Sequence, residues 1–454
     1  MSNRTAEFFK NPKARLILKF GFIYLVFFAL SWHRLDPDFG WHLKAGDYYR
    51  QYGIPSHDIF TFTARNFDWI NHEWGNDLLL SLFYAIGGYG LLSFLYAGLW
   101  TAAFMIRALK VRFIFLLAAM GAVLPYAGIR PVAWTFLLFA LLLRLLENQK
   151  KPPYLLIASL FAAWANLHAG FVIGLALILY YFVRTRHKYY AKLLSLGILA
   201  TFINPYGPRL YVEVGRTLFD VRLHNQISEW NNFVVFTGSL TFIGLWWAGF
   251  LLYKRKKLSN WLGLGPLLFA AALSASRNLP LFVITTINDL EKYYQNFRAE
   301  APKNLNYKAR AVLLISWVGL ISFLIYGSYG QLLPWTNRED KFPKQAVSYL
   351  KANPCPGRIF NDYNYGGYLI WKLPSQPVYI DGRMSSWRAP DGQKYLDKFL
   401  KIPDDQNLRQ KEFSHYGIKC VLIRSSNTKL IDSLQNDGWQ TRLKANSATL
   451  LEKS

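Results

Sequence analysis

Residues 16–42 read LILKFGFIYLVFFALSWHRLDPDFGWH and contain the pattern that decides the fold. Residues 16–32 are apolar apart from Lys19, and about 20 such residues cross the hydrocarbon core of a bilayer as a helix. Two acids, Asp36 and Asp38, follow where that helix would leave the membrane. Further apolar runs recur along the 454 residues, so the sequence predicts a polytopic membrane protein.

Composition and charge support this prediction. The chain is 52% hydrophobic and 17% aromatic, and it carries a formal net charge of +25. Its Lys and Arg residues cluster at the ends of apolar runs, which is the pattern of cytoplasmic membrane loops. A nucleic-acid-binding protein would more often concentrate such charge on one soluble domain, so membrane lipid, and no nucleic acid, is the expected partner. The first apolar run lacks a small-residue cleavage site and fits a signal peptide poorly.

The basic clusters define a topology if all of them lie in the cytoplasm. They occupy residues 10–19, 107–112, 150–151, 184–188, 254–257 and 292–310. Between neighbouring clusters, pairs of short helices are predicted at residues 113–146, 154–183 and 259–290. In 189–253 one helix is predicted on each side of a long polar loop, and a last helix is predicted at about 311–327. The prediction is an α-helical multi-pass domain of about 11 transmembrane helices, residues 1–334, in the inner (cell) membrane with a cytoplasmic N-terminus.

The tail, residues 335–454, has ordinary charge and predicts a small extracytoplasmic α/β domain. A helix is expected at 342–351, and strands are expected at 358–360, 377–380 and 419–423. The two cysteines, Cys355 and Cys420, are interpreted as unrelated buried thiols. A disulfide is the alternative if the tail lies outside the cell.

Polar candidates collect opposite the basic clusters. The first outer loop, residues 33–76, and the later outer turns carry Asp36, Asp38, His42, His72, Glu73, Arg130, His168, Glu229 and Arg277. Ionisable groups near membrane depth usually mark a functional cavity. Asp58 and Asp68 are expected to be solvated loop acids, and residues 381–383 (Asp-Gly-Arg) are expected to be a simple turn.

Several short motifs together resemble one superfamily. They are Asp36-Pro-Asp-Phe-Gly-Trp-His42, Asn71-His-Glu-Trp74, Asn166-Leu-His-Ala-Gly170, Asn204-Pro-Tyr-Gly207, Arg277-Asn-Leu-Pro280 and Tyr379-Ile-Asp-Gly-Arg383. As a set they are similar to motifs of a bacterial branch of the GT-C membrane glycosyltransferases. The resemblance covers most of the chain.

The resemblance implies inverting transfer of a sugar from a polyprenyl-phosphate carrier to a glycan, lipid or protein acceptor on the outer face. It implies Asp38 as general base, with Asp36 and then Glu73 as the other catalytic candidates. The remaining candidates, His42, His72, Arg130, His168, Glu229 and Arg277, would bind substrate. The spacing Asp38-Phe-Gly-Trp-His42 departs from the familiar Asp-Trp-Trp-His form and leaves open which Asp aligns.

A divalent cation is used by some members of the superfamily. Asp38, His72 and Glu73 are the expected ligands if Mg²⁺ or Mn²⁺ binds here, because carboxylate oxygens suit both ions. Two readings without catalysis stay open: a transporter or flippase of lipid-linked saccharides, and a non-catalytic assembly factor. Transporters often show internal repeats and polar residues within helices, and neither pattern is seen in this sequence.

Overall fold

The computed structural model describes residues 11–148, 151–220, 222–226, 237–253, 258–300 and 338–453. The chain forms two compact units. The first comprises Met1–His33, Ser93–Gly207 and Val221–Trp335, and the second comprises Arg34–Leu92, Pro208–Asp220 and Thr336–Ser454. The second unit therefore joins the first loop to the tail.

Fourteen of the described helices precede the tail. In chain order α1 to α14 are Pro12–His33, Phe39–Tyr52, Trp74–Ala108, Phe113–Val123, Val132–Glu147, Tyr154–Leu167, Phe171–Thr185, Lys188–Thr201, Arg209–Leu218, Leu223–Gln226, Thr237–Tyr253, Leu258–Trp261, Leu264–Ser274 and Leu279–Glu300. Short 3-10 turns cover Leu124–Tyr126 and Ser276–Asn278. Among the described residues, α1 and α3 are long and apolar enough to cross a membrane, and shorter apolar helices include α6, α7 and α13.

The predicted pairs of short helices are confirmed as α4 with α5, α6 with α7, and α13 with α14. The long loop within 189–253 was predicted without helices, and this was wrong, because α9 and α10 lie in it. Helix α9 has one apolar edge, with Leu210 and Val214 buried. The helix predicted at 311–327 lies outside the described residues.

Buried aromatic rings form much of the core of the first unit. Trp100 stacks on Phe27 with ring centroids 5.9 Å apart and lies 5.3 Å from the ring of Phe136. Its indole N–H donates to the carbonyl oxygen of Gly128 at 2.9 Å. An indole buried in this way satisfies its one polar atom while it removes a large apolar surface from the surroundings.

The tail is an α/β fold around a four-stranded sheet. Strands β1 to β4 are Arg358–Asn361, Ile418–Arg424, Trp439–Lys444 and Ala448–Lys453, in the order β1-β2-β4-β3. The helices α15 to α19 are Lys344–Ala352, Gly366–Lys372, Tyr395–Lys401, Gln406–Tyr416 and Thr428–Asn436. Strand β2 pairs in parallel with β1 and antiparallel with β4, and its central residues are buried, as expected for an inner strand.

A disulfide joins Cys355 to Cys420, with their Cα atoms 6.2 Å apart. The interpretation of two unrelated thiols was therefore wrong. It failed because 65 residues separate the cysteines in sequence, and only the pairing of β1 with β2 brings them together.

The strand predicted at 377–380 is also absent from the described sheet. Val378 instead makes an isolated parallel bridge to Thr61 of the first loop. The Val378 N–H donates to the carbonyl oxygen of Phe60 at 3.0 Å, and the Phe62 N–H donates to that of Val378 at 3.2 Å. The β-favouring residues of this segment thus hold the loop and the tail together in the second unit.

Candidate active site

The first-loop acids lie where the chain enters α2. Asp38 is the N-cap residue of α2, yet its side chain makes no capping hydrogen bond. An N-cap Asp ordinarily accepts a hydrogen bond from an N–H of the first helical turn. Here Asp36 holds the turn, since its Oδ1 accepts the backbone N–H of Asp38 at 2.9 Å. The carboxylate of Asp38 is therefore available for other contacts.

The tail supplies part of the wall around Asp38. A β-carbon added to Gly382 would overlap with the Asp38 carboxylate, so the backbone of Gly382 lies directly against it. Helices α2 and α16 also approach closely, because a β-carbon on Gly40 would overlap with the carbonyl oxygen of Gly367. Only glycine at these positions allows the tail to approach the loop so closely.

The surroundings of Asp38 favour its protonated form. Burial, followed by the charge of Asp36, raises the pKa of Asp38 to about 6. The nearby His42 and the indole of Trp41 act in the opposite direction and limit the rise in pKa. A carboxyl group with a pKa near 6 is largely ionised at neutral pH and is still a stronger base than an ordinary aspartate.

His42 lies between two acids. Its Nδ1 is 2.6 Å from Oδ1 of Asp77, and its Nε2 is 3.7 Å from Oε2 of Glu73. Asn71 donates from Nδ2 to the other oxygen of Asp77 at 2.7 Å. Burial alone would lower the pKa of His42, but Asp77 and Glu73 outweigh it and raise the pKa to about 9. The side chain is therefore an imidazolium at neutral pH.

Glu73 is the residue directly before α3. Its carboxylate is 13% exposed and lies 3.8 Å from Nε2 of His72. Burial raises the pKa of Glu73, while the charges of His72 and His42 oppose the rise. Asp36, Asp38, His42, Glu73 and Asp77 are called the base cluster below. In this cluster Asp38, Glu73 and Asp77 act on the imidazolium of His42, and Asp36 holds the backbone of Asp38.

A second ionic cluster, called the clasp, consists of Asp58, Asp381 and Arg383. The guanidinium of Arg383 lies 2.7 Å from Oδ1 of Asp58 and 2.6 Å from Oδ2 of Asp381, and all three side chains are buried. The second oxygen of Asp58 accepts the Thr61 N–H at 2.9 Å. The ring of Trp69 lies 4.5 Å from the guanidinium carbon. Every carboxylate of the clasp thus has a cation or an N–H donor beside it.

The clasp corrects two predictions. Asp58 was expected to be solvated, but it is 3% exposed and tied to the tail. Residues 381–383 were expected to be a simple turn, but they start a 3-10 helix, Gly382–Ser385, and carry a buried cation. Asp68 is exposed as expected and pairs with Arg209 on the surface.

Three other predicted site residues belong to the first unit. Arg130 precedes α5, His168 lies between α6 and α7, and Arg277 lies in the 3-10 turn before α14. Arg130 and Arg277 are half-buried, whereas His168 is 7% exposed. Glu229 lies outside the described residues.

His168 has well-defined local contacts. Its Nδ1 accepts the N–H of Gly170 at 2.9 Å and lies 2.8 Å from the hydroxyl oxygen of Thr135. That hydroxyl accepts the indole N–H of Trp164 at 3.0 Å. These bonds orient the turn between α6 and α7. They are also the type of contact that fixes one tautomer of a histidine ring.

The expected metal ligands do not form a metal site in the described part of the chain. No group of three or more His, Cys, Asp or Glu side chains there is arranged to hold a metal ion. Nε2 of His72 lies 3.8 Å from the carboxylate of Glu73, and Nε2 of His42 lies 3.7 Å from it. Among the described residues, the donor set therefore does not fit a cation held by Asp38, His72 and Glu73.

Sequence reasoning assigned no role to Asp77, Gly382 or Arg383. Asp77 follows Glu73 by four residues at the start of α3, a spacing that places both on one face of a helix and could have revealed it. Arg383 and Gly382 lie in a motif that was noticed, but no local signal shows that their partners are in the first loop. Gly382 lies against Asp38, and Arg383 pairs with Asp58 as well as with its neighbour Asp381, so each has one partner more than 300 positions away.

Comparison with family models and with curated proteins found no match. Solved structures with a similar fold were found. The archaeal oligosaccharyltransferase AglB from Archaeoglobus fulgidus, in complex with an inhibitory peptide and a dolichol-phosphate, matches with a TM-score of 0.55 and 13% identity over 91% of this chain and 69% of that one. AglB is a membrane glycosyltransferase of the GT-C superfamily. This chain shares its fold with AglB.

The apo form of the Archaeoglobus fulgidus oligosaccharyltransferase is another match, with a TM-score of 0.49 and 11% identity over 90% of this chain and 69% of that one. The predicted resemblance to GT-C proteins is confirmed for the fold by AglB. The predicted helical architecture with a small C-terminal α/β domain agrees with that fold. At 13% identity, the roles of individual residues do not follow from the likeness.

Proposed function

We propose that the chain is a membrane glycosyltransferase that moves a sugar from a polyprenyl-phosphate carrier to an acceptor hydroxyl or amide, with inversion. The observation that carries the proposal is Asp38, a half-buried carboxylate without a capping role, directly after a candidate membrane span and with a pKa of about 6. The GT-C-type fold supports the reaction class.

In this reaction Asp38 removes the acceptor proton. The acceptor atom attacks the anomeric carbon from the side opposite the phosphate, and the sugar–phosphate bond breaks with its electrons on the leaving polyprenyl phosphate. General bases placed in this way typically contribute 10² to 10⁴ in rate. Asp36 positions Asp38 through the bond to its backbone N–H, and Glu73 and Asp77 hold the imidazolium of His42.

The leaving phosphate needs positive charge as the bond breaks. Arg130, Arg277 and His168 are our candidates for this role, because fixed cations and N–H donors stabilise developing negative charge in a site that excludes water. The chain also contains His72 and Glu229 as candidates for substrate binding. The acceptor class is a glycan, lipid or protein. The AglB complex contains an inhibitory peptide and a dolichol-phosphate, which is consistent with a lipid-linked donor.

The topology that we propose has about 11 spans within residues 1–334, a cytoplasmic N-terminus, and the tail at 335–454 outside the cell. Basic clusters at one end of the apolar segments support this orientation. The disulfide between Cys355 and Cys420 supports an outer location for the tail, since disulfides persist in oxidising compartments.

The test uses the full chain in nanodiscs with a panel of radiolabelled polyprenyl-phosphate sugars. We expect wild type to release polyprenyl phosphate and Asp38→Asn to be slower by 10² to 10⁴. Asp68→Asn, which alters an exposed acid of the same loop, is the control and should retain activity. Full activity of Asp38→Asn would reject Asp38 as the base. Movement of the donor lipid across the bilayer without sugar transfer would favour a flippase instead.

A further inference from the structure

A cavity of about 990 Å³ opens among the helices of the first unit and shares no residue with the base cluster or the clasp. Its walls include the C-terminal ends of α3, α5 and α7, together with parts of α11, α13 and α14. Helix ends that carry basic clusters therefore surround a space large enough for a lipid headgroup.

Cations outnumber acids in this cavity. Its basic lining residues are Arg107, Lys110, Arg144, Arg184 and Lys292, and its acidic lining residues are Glu147, Asp289 and Glu291. Each acid already has a partner. Glu147 accepts two bonds from Arg107, Glu291 lies 3.2 Å from Arg112, and Asp289 accepts the indole N–H of Trp246.

The other four cations have no carboxylate partner among the described residues. Arg144 donates to the carbonyl oxygen of Ile106 at 2.8 Å, and Arg184 donates to that of Ser259 at 3.1 Å. These bonds to backbone carbonyl groups give both guanidinium groups a partner without any ligand. Lys110 and Lys292, by contrast, are exposed at the rim and make no such bond in the described part of the chain.

Apolar side chains border the same cavity. Leu109 lines it and is 37% exposed, and Val183, Leu262 and Leu267 nearby in sequence are each more than 40% exposed. A soluble phosphate would gain nothing from exposed leucine and valine. A phosphate that carries acyl or prenyl chains would place its charge on the lysines and its chains against apolar lining residues such as Leu109.

We propose that this cavity binds the phosphate headgroup of an anionic membrane lipid, with Lys110 and Lys292 as the principal contacts. The ligand is either a phosphodiester phospholipid or a polyprenyl phosphate, which share this chemistry. The proposal does not depend on the proposed transferase activity, because none of the residues involved has a role in that reaction.

The experiment is native mass spectrometry of the full chain, titrated with phosphatidylglycerol, polyprenyl phosphate, phosphatidylcholine or inorganic phosphate. Wild type should bind at least one of the two anionic lipids more tightly than phosphatidylcholine. Whichever anionic lipid binds more tightly, phosphatidylglycerol or polyprenyl phosphate, is then identified as the class of ligand. Lys110→Gln/Lys292→Gln should weaken that binding about 25-fold, at roughly fivefold for each charge removed.

The matched control is Lys188→Gln/Lys192→Gln, which removes two exposed lysines of α8 that do not line the cavity. It should bind like wild type. Equal loss in both double variants would show a general effect of charge and overturn the site. Binding of inorganic phosphate as tight as that of the lipid, or no preference of wild type for anionic lipids, would overturn it as well.

Discussion

The base cluster and the clasp lie in the same unit and are built from the same side chains, but their charges are balanced differently. In the clasp, one guanidinium meets two carboxylates whose oxygens are matched by donors. In the base cluster, the imidazolium of His42 lies among Asp38, Glu73 and Asp77, and burial raises the pKa values of Asp38 and Glu73. The comparison teaches that a buried cation with hydrogen-bonded carboxylates joins segments, whereas a carboxyl group whose pKa is raised by burial is held ready to exchange a proton.

The largest effect is expected from breaking the clasp. Arg383→Met should destabilise the protein by about 3–5 kcal/mol, because it leaves Asp58 and Asp381 as buried charges without a counterion. Thermal unfolding of the tail, followed by tryptophan fluorescence, measures this change. Lys429→Met, which breaks a solvent-exposed pair with Asp404, should change stability little. Equal effects of the two substitutions would contradict the structural role of the clasp.

The next prediction concerns the contact between the tail and Asp38. Gly382→Ala should lower kcat about 10- to 100-fold, because the added methyl group displaces the carboxylate by about 1 Å. Binding of the donor lipid should change less than kcat. Gly98→Ala, at a helical position with open space around it, is the matched control. If Gly382→Ala keeps normal kcat, the tail does not position the base.

The third prediction is a bell-shaped pH dependence of sugar transfer. Activity should rise as pH increases through about 6, because Asp38 must lose its proton to act as a base. Activity should fall as pH increases through about 9, where His42 loses its charge. His42→Gln should remove the upper limb and move the lower limb to higher pH, since His42 lowers the pKa of Asp38. If neither limb of the pH profile changes in His42→Gln, the charge of His42 does not control the activity or the pKa of Asp38.

The smallest effect is a gain in stability on removal of the base. The pKa of Asp38 is about 6 in the folded state against an ordinary value of 3.8, so the folded protein holds this proton more tightly than the unfolded chain does. Stability from this group is present below pH 3.8 and is lost as pH rises through 6. Asp38→Asn should therefore be more stable than wild type at pH 7.5, by on the order of 1 kcal/mol. The gain should shrink as pH falls toward 3.8, so an equal gain at pH 4 and at pH 7.5 would contradict a raised pKa of Asp38.

Local patterns were enough to find many elements. Apolar runs bounded by basic residues located α4 to α7 and α13 with α14, because each helix depends mainly on its own length and composition. Strands β1 and β2 were found from β-branched residues, whereas β3 and β4 were missed. Strand β3, Trp439–Lys444, has mostly exposed residues, so it lacks the apolar alternation that identifies a strand.

Segments that depend on distant partners were misread. Residues 377–380 have the composition of a strand but pair with the first loop instead of the sheet. The local sequence does not distinguish Asp58 from Asp68. In the structure Asp58 is buried against Arg383, whereas Asp68 is exposed on the surface. Burial of a charge is decided by the partner that meets it, and that partner can come from anywhere in the chain.

The sequence by itself determined the mainly helical part of the chain, the α/β tail and the concentration of acids after the first long apolar helix, because these follow from periodicity, composition and the position of charge along the chain. Only the tertiary structure decided that Gly382 lies against Asp38, that Arg383 ties the loop to the tail, and that Cys355 meets Cys420. The physical reason is that burial and electrostatics depend on distances in space, which local sequence does not specify.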